Sequence, residues 1–298
     1  TNLLKLTATV YGTGTWASSN VTNTKIGNRA FGGSQTSGLL AGGNPTANNM
    51  ELYDGTSWTN STVINTGRRA LSGAGTANTS VIVAAGLYGP GSANLAEIWN
   101  GSSWTEVNEM NTARYYGGTS VQGSVTATIY AGGAIAPYTN LVESWNGTAW
   151  SEVSELTTAR AAINGAGTAT SALVCGGEDA ASRKALTEVW NGTSWTETTD
   201  LSTGGIHMGV GGESGVSALC FAGEGASNPY PKLNNTEQWN GSTWTEVADL
   251  ATARDLQQQG GGTSTAAIAA GSRTAPFAGL TEEWTVPESI SNVTVASS

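Results

Sequence analysis

Tryptophan placement limits this chain more than any other feature. Six times an aromatic residue is followed five positions later by a tryptophan across a short Asn-Gly-type turn: Tyr11/Trp16, Tyr53/Trp58, Trp99/Trp104, Trp145/Trp150, Trp190/Trp195 and Trp239/Trp244, with Trp284 left single. Together they use all 11 tryptophans, and successive first aromatics lie 42, 46, 46, 45, 49 and 45 residues apart. A fixed period of about 40 to 50 residues means one supersecondary unit copied and stacked, because a single unit cannot bury its own apolar face. Six units consume nearly all of the 298 residues, which predicts one domain over 1–298, with 1–20 as a closing strand and 286–298 as a C-terminal tail.

The unit reads as strands. Only 11% of residues are charged and 41 are glycine, a composition poor in helix formers and rich in turn formers. In the copy from Ala159 to Glu197, extended segments are expected at 160–168, 172–177, 186–190 and 195–198. Asn191-Gly192 would supply the two positive-φ residues of a type I′ hairpin. With a two-residue loop Trp195 faces Glu188, and with a four-residue loop it faces Trp190; either way Glu188, Trp190 and Trp195 share one face. The same parity holds for Glu97, Trp99 and Trp104, for Glu143, Trp145 and Trp150, and for Glu237, Trp239 and Trp244. Large aromatics on one face of a four-stranded unit need a neighbouring sheet. Trp16, Trp58, Trp99, Trp104, Trp145, Trp150, Trp190, Trp195, Trp239, Trp244 and Trp284 are therefore expected to be structural.

An apolar run, a Gly-Gly doublet (Gly42-Gly43, Gly132-Gly133, Gly176-Gly177), then an aromatic and a Trp on successive strands resembles the kelch repeat. The resemblance covers essentially the whole chain, although Ala85-Gly86, Ala222-Gly223 and Ala270-Gly271 replace the doublet in three copies. It implies an all-β, six-bladed kelch-type β-propeller with four antiparallel strands per blade. Six Glu-x-aromatic sites, at Glu51, Glu97, Glu143, Glu188, Glu237 and Glu282, agree with that blade count. Trp284 has its glutamate but no following Trp, and Trp16 has no Glu two residues before Tyr11. The N-terminal strand around Trp16 is thus expected to pair beside the C-terminal strand around Trp284 and close the ring.

Net charge of −10 repels phosphate backbones and anionic membranes, and the longest aliphatic runs, such as Val81 to Ala85, are far short of a span. Neither nucleic acid nor membrane insertion is expected. The sequence opens at Thr1 without Met or a basic-then-apolar leader, so a start residue or targeting segment is expected to have been removed or to lie upstream. Cys175 and Cys220 lie in equivalent strands of adjacent copies, one register apart. That offset turns them to opposite faces, so two buried thiols are expected and a disulfide is not. The sequons at Asn100, Asn146, Asn191 and Asn240 fall inside the repeated turn, where backbone geometry already accounts for Asn-Gly.

Function is expected on one face. The Asn-Gly face is nearly uniform, whereas the opposite loops, 44–48, 87–94, 134–140, 178–185, 224–235 and 272–279, vary in length and chemistry. Tyr88, Tyr138, Tyr230 and Phe277 sit in four of them beside loop prolines. They are either a contact surface of low entropic cost or anchors folded over the blade edges. Arg68, Arg114, Arg160 and Arg254 recur ten residues after a repeat Trp, at the start of the innermost strand. They are either an anion clamp or ion pairs between blades, with the repeated Glu residues or with Glu109, Glu155 and Asp249; a repeat that copies them favours the pairs. The fifth copy departs: Gly205 stands where Arg is expected, and His207, the sole histidine, follows.

One histidine cannot build the copper site of galactose-oxidase-like propellers, a zinc site or a Ser-His pair, so neither metal nor cofactor is expected. A sialidase-like enzyme needs no histidine, but its Asp-box spacing is absent at Asp54-Gly55-Thr56-Ser57-Trp58. Paired-carboxylate glycosidase chemistry stays open beside it. The phrasing aromatic-Asn-Gly-x-x-Trp-Thr-Glu followed by Thr-Ala-Arg looks like kelch-like propellers of environmental bacteria and phage virion proteins. That resemblance implies a non-catalytic, virion- or extracellular-surface module contacting a glycan, a protein surface or other virion subunits. The alternatives are a sialidase-like or other glycan-active enzyme and an intracellular kelch adaptor.

Overall fold

The computed structural model describes residues 4–45, 47–256, 259–273 and 279–295. Six four-stranded antiparallel sheets follow one another around a ring. Blade 1 holds Ala30–Ser34, Ser37–Ala41, Met50–Tyr53 and Trp58–Asn60. Blade 2 holds Ser72–Ala77, Ser80–Ala84, Ala96–Trp99 and Trp104–Val107, and blade 3 Gly118–Thr119, Thr128–Ala131, Val142–Trp145 and Trp150–Val153. Blade 4 holds Asn164–Gly167, Ala172–Cys175, Thr187–Trp190 and Trp195–Glu197, and blade 5 Gly209–Ser214, Ser217–Phe221, Thr236–Trp239 and Trp244–Val247. Blade 6 takes Gly260–Gly262, Ala266–Ala270 and Thr281–Thr285 from one end of the chain and its outer strand, Thr15–Ser19, from the other.

The molecule is therefore a six-bladed β-propeller, closed as the unpaired tryptophans imply: Trp16 stands directly opposite Trp284. Both chain ends then leave blade 6 together. Leu4–Tyr11 pairs antiparallel with Glu288–Val295, so the segment expected as a tail carries a strand and the N-terminal segment carries two. The sequence reason is that both segments alternate Val, Ile, Leu and Thr, which suits a two-stranded ribbon.

Buried apolar side chains divide into one cluster per seam between blades. At the first seam Ala30, Leu39, Ala41 and Met50 of blade 1 meet Leu71, Val81, Val83, Trp99 and Trp104 of blade 2. The pattern repeats around the ring, and Trp58 closes it against Ile268 and Ala270 of blade 6. Nine tryptophans are buried; Trp16 and Trp244 are half-buried. The third-strand indole binds inside its own blade, as Trp99 does to the Asn78 carbonyl at 2.9 Å. The outer-strand indole can reach backward, as Trp244 does to Thr187 of blade 4 at 2.9 Å. Each fully buried indole contributes at most about 4 to 6 kcal/mol, which makes the seams the main store of stability.

The structure settles the loop length, changes the role of the loop Asn, and keeps two buried thiols but brings them together. Trp190 faces Trp195, so the loop is the four-residue one. Only Gly192, at φ 94°, is left-handed, while Asn191 Oδ1 accepts from the amides of Thr193 and Ser194 at 2.9 and 3.0 Å. The Asn is thus kept for its side-chain oxygen, and Asp54 does the same work in blade 1. The cysteines are free and buried, but their Sγ atoms lie 3.4 Å apart. Adjacent blades stack front to back, so opposite faces of neighbouring sheets are the ones that meet. A hydrogen bond with Cys175, then burial, raises the Cys220 thiol well above its ordinary range.

The axis of the ring is plugged. Glycine lets the innermost strands close up: a Cβ on Gly73 would sit 2.4 Å from the Phe31 carbonyl oxygen. Blade 3 keeps only two residues in its innermost strand and sends Val121 and Gln122 across the axis. Gln122 Nε2 donates to Gly33 of blade 1 and Gly262 of blade 6, its amide to Gly167 of blade 4, and the Val121 carbonyl accepts from Gly75 of blade 2. What remains is a cavity of about 20 Å³, room for one water.

Candidate functional site

Above the plug, on the face of the variable loops, the ring is capped by main chain. In blades 2 to 6 the residue that leads into the innermost strand donates to its counterpart in the preceding blade: Ala70 to Asn28, Tyr116 to Ala70, Ala162 to Tyr116, His207 to Ala162 and Leu256 to His207, at 2.8 to 3.3 Å. Asn28, Ala70, Tyr116, Ala162 and His207 are all left-handed, with φ between 54° and 64°. This collar forms the floor of the mouth.

Around it lies a layer of ion pairs within blades. Arg29, Arg68, Arg114, Arg160 and Arg254 contact Glu51, Glu97, Glu143, Glu188 and Glu282 at 2.5 to 2.9 Å. All five arginines are 0% exposed, so as placed they have no surface to offer an anion. The pairs also lie inside one blade rather than between blades, because each arginine sits in the linker that leads into the first strand of the sheet whose third strand carries the glutamate. Glu109 and Glu155 instead accept from Asn94 and Asn140, and Asp249 from the Thr236 amide. Each repeated glutamate also accepts linker amides, such as Asn111 N to Glu143 at 2.7 Å. Arg29 was hidden from the spacing argument because it falls thirteen residues after Trp16 instead of ten.

Blade 5 breaks the layer for a visible reason. Gly205 and Ile206 form a short ribbon with Glu224 and Gly225, and a Cβ on Gly205 would sit 2.6 Å from the Glu224 carbonyl oxygen. Glycine lets the long loop lie down on the mouth. Glu224 then receives Arg183 at 2.7 Å, Arg273 at 2.9 Å and Lys232; Asp255 receives Arg273 at 3.2 Å and Lys232. The Arg183 guanidinium stacks 3.9 Å over the Tyr230 ring, and the Tyr138 hydroxyl donates to Glu178 at 3.1 Å, beside Arg183. His207 is 5% exposed with Nδ1 unpartnered, edge-on to Tyr116 at 5.6 Å.

His207, Glu224 and Asp255 bring donor atoms within 4.8 Å of one another, the one such group among the described residues. Both carboxylates already carry side-chain cations, which leaves them poor competitors for a metal ion. The layering matters more. Side chains of Asp255 and Glu224 are 0% and 10% exposed, whereas Arg273 and Lys232 are 34% and 30% exposed. Lys232 and Arg273 thus meet solvent above Glu224 and Asp255, while at the rim Glu178 is 32% exposed beside Arg183, which is only 14% exposed.

Burial, then the nearby Arg273, holds His207 down to about 3. Burial alone would raise Glu224, but hydrogen bonds from Lys232 and Arg183 outweigh it and bring it to about 2. Both folded values lie below the unfolded ones, so stability is present above the unfolded values and is lost as pH falls. For His207 the loss begins below about pH 6.5 and for Glu224 below about pH 4.3. Thermal melts from pH 7 to 4 should therefore show a falling Tm. His207→Gln should flatten the part between pH 6.5 and 4.5, by about one proton in slope; parallel profiles would refute this assignment.

Of the residues expected on this face, Tyr138, Tyr230 and His207 gather at the charged mouth. Tyr88 stands 59% exposed on a separate hairpin of blade 2, and Phe277 lies outside the described residues. Arg183, Lys232, Arg273, Asp255 and Tyr116 escape periodicity arguments because none recurs, and Glu224 because only Glu178 matches it, directly after the Gly-Gly or Ala-Gly step. Their signal was subtraction: once the five repeated arginines are removed from the 12 basic residues, few cations remain, and three of them meet here.

Among solved structures the chain is similar to one titled "Structure of YjhT", with a TM-score of 0.72 over 91% of this chain and 99% of that chain, at 13% identity. At that identity the likeness is one of fold. No protein-family model and no curated protein matches the chain.

Proposed function

We propose that this propeller is a non-catalytic recognition module that binds a carboxylate-bearing glycan at the loop-face mouth. The observation that carries the reading is the pair of partly exposed cations, Lys232 and Arg273, over buried Glu224 and Asp255, with the more deeply set Arg183 stacked on Tyr230 and Tyr138 beside it. Guanidinium forks suit a planar carboxylate, and a tyrosine face suits the apolar side of a sugar ring. The setting that fits is the one its repeats resemble, a kelch-type propeller displayed on a virion or cell surface. Against a net charge of −10, recognition must come from this local cluster, so binding should weaken with salt.

A glycan-active enzyme is the second reading, favoured by the grouping of His207, Glu224, Asp255 and Tyr116. It is the weaker one, because His207 and Glu224 are held far from neutral pKa values and are poor proton carriers at pH 7.

A glycan array with acidic and neutral members tests both. Wild type should bind acidic glycans, and Arg183→Ala with Tyr230→Ala should lose roughly 10- to 100-fold in affinity. Full retention by the double variant would remove the mouth as the site, and binding confined to a partner protein would replace the glycan. Turnover of a fluorogenic sialoside that depends on Arg183 would install the enzyme instead.

A further inference from the structure

Ring closure breaks the symmetry of the otherwise uniform Asn-Gly face. In blades 1 to 5 the third and fourth strands are joined by a tight turn; in blade 6 they come from opposite chain ends, and no turn fills that corner. Gly12 to Gly14 enter there, with Gly12 N bonded to the Pro287 carbonyl at 2.8 Å and Gly14 lying against the Trp284 ring. Between this corner and blade 5 opens a cavity of about 380 Å³, the size of a small-ligand site.

Its walls are polar. The position of Gln238 is apolar in blades 1, 2 and 4 (Leu52, Ile98, Val189) and polar in blades 3 and 6 (Ser144, Glu283); Glu283 is bonded to Tyr53 of the next blade, whereas Gln238 is half-buried with its carboxamide without a partner among the described residues. Tyr11 contributes a ring that is 57% exposed. Thr13 and Thr265 supply hydroxyls, and the single charge is Glu213, whose two carboxylate oxygens accept from the N and Oγ of the buried Ser264 at 2.9 Å. Those bonds fix the carboxylate and leave lone pairs free. No lysine or arginine lines the cavity.

We infer that this corner is a second binding site, distinct from the loop-face mouth, for an uncharged polyhydroxylated ring such as a neutral monosaccharide unit. An aromatic face, a carboxamide, hydroxyls and one oriented carboxylate match a ring with one apolar side and a rim of hydroxyls. The lone Glu213 excludes anions, and two of its acceptor sites are already filled by Ser264, which disfavours a bare cation.

The test is an amide-shift titration of the full chain with methyl glycosides of glucose, galactose, mannose and N-acetylglucosamine, beside glucosamine and glucuronate as charged arms. At least one neutral glycoside should saturably shift Gly12, Thr13, Gly14 and Thr265 in the millimolar range. Tyr11→Ala and Gln238→Ala, both at accessible positions, should each weaken it about fivefold, while Arg183→Ala leaves it unchanged. Wild-type shifts at the four named amides support the site even if a variant misfolds. Silence from every neutral glycoside, response to a charged arm alone, or full affinity in both variants overturns it.

Discussion

Deleting residues 1–20 should abolish the cooperative melt of this protein or lower its Tm by well over 10 °C, the largest single effect expected from any change discussed. The deletion strips blade 6 of its outer strand, exposing the edge Thr281–Thr285, and removes Trp16 from Phe221 and Trp284 at 4.8 and 5.6 Å between ring centroids. A domain of this kind holds only about 5 to 15 kcal/mol in reserve, so a lost strand and half-buried indole take a large share of it. The exposed edge should also pair between molecules, visible as aggregation by light scattering. Gly14→Val is the finer probe, since its Cβ would fall 2.1 Å from the Trp284 ring. An unchanged melting curve for the truncated chain would mean that the velcro between the two ends holds nothing.

Second in size is the buried ion pair. Arg114→Met leaves Glu143, itself 0% exposed, as a buried carboxylate without its cation, and should cost about 3 to 5 kcal/mol in urea unfolding. Replacing both partners by apolar groups often restores such a loss. Here it should not, because Glu143 also accepts the Asn111 and Thr112 amides at 2.7 and 3.3 Å, and stranding them keeps the Arg114→Met/Glu143→Leu double variant about 1 to 3 kcal/mol below wild type. Blade 5 separates the two duties: Glu237 accepts the Ser202 and Thr203 amides at 2.8 and 3.1 Å with glycine in the arginine position. A double variant as stable as wild type would show that the amide bonds contribute little.

Strand count, blade count and closure were legible because each is written many times over in the same few residues. Trp99 and Trp104 recur with their Glu97, and the exception at Trp16 and Trp284 identifies the join. The meeting of Cys175 with Cys220 was lost for a geometric reason: parity assigns a residue to a face, but not that face to a neighbour. The plug was announced only by Val121-Gln122 interrupting a glycine-rich strand, a signal with no partner in sequence. The charged mouth is the hardest case. Arg183, Lys232, Asp255 and Arg273 come from three consecutive blades, 4, 5 and 6, and meet where the loops of those blades converge on the mouth.

The collar that joins Asn28 through Leu256 has a consequence for how such a molecule can change. Its bonds run from amide to carbonyl, so the hub beneath the mouth holds whatever side chains are mounted on it, and positions as different as Ala70, Tyr116 and His207 occupy equivalent seats. Loops above can be exchanged blade by blade, like bits in a common chuck, while the machine that grips them stays the same.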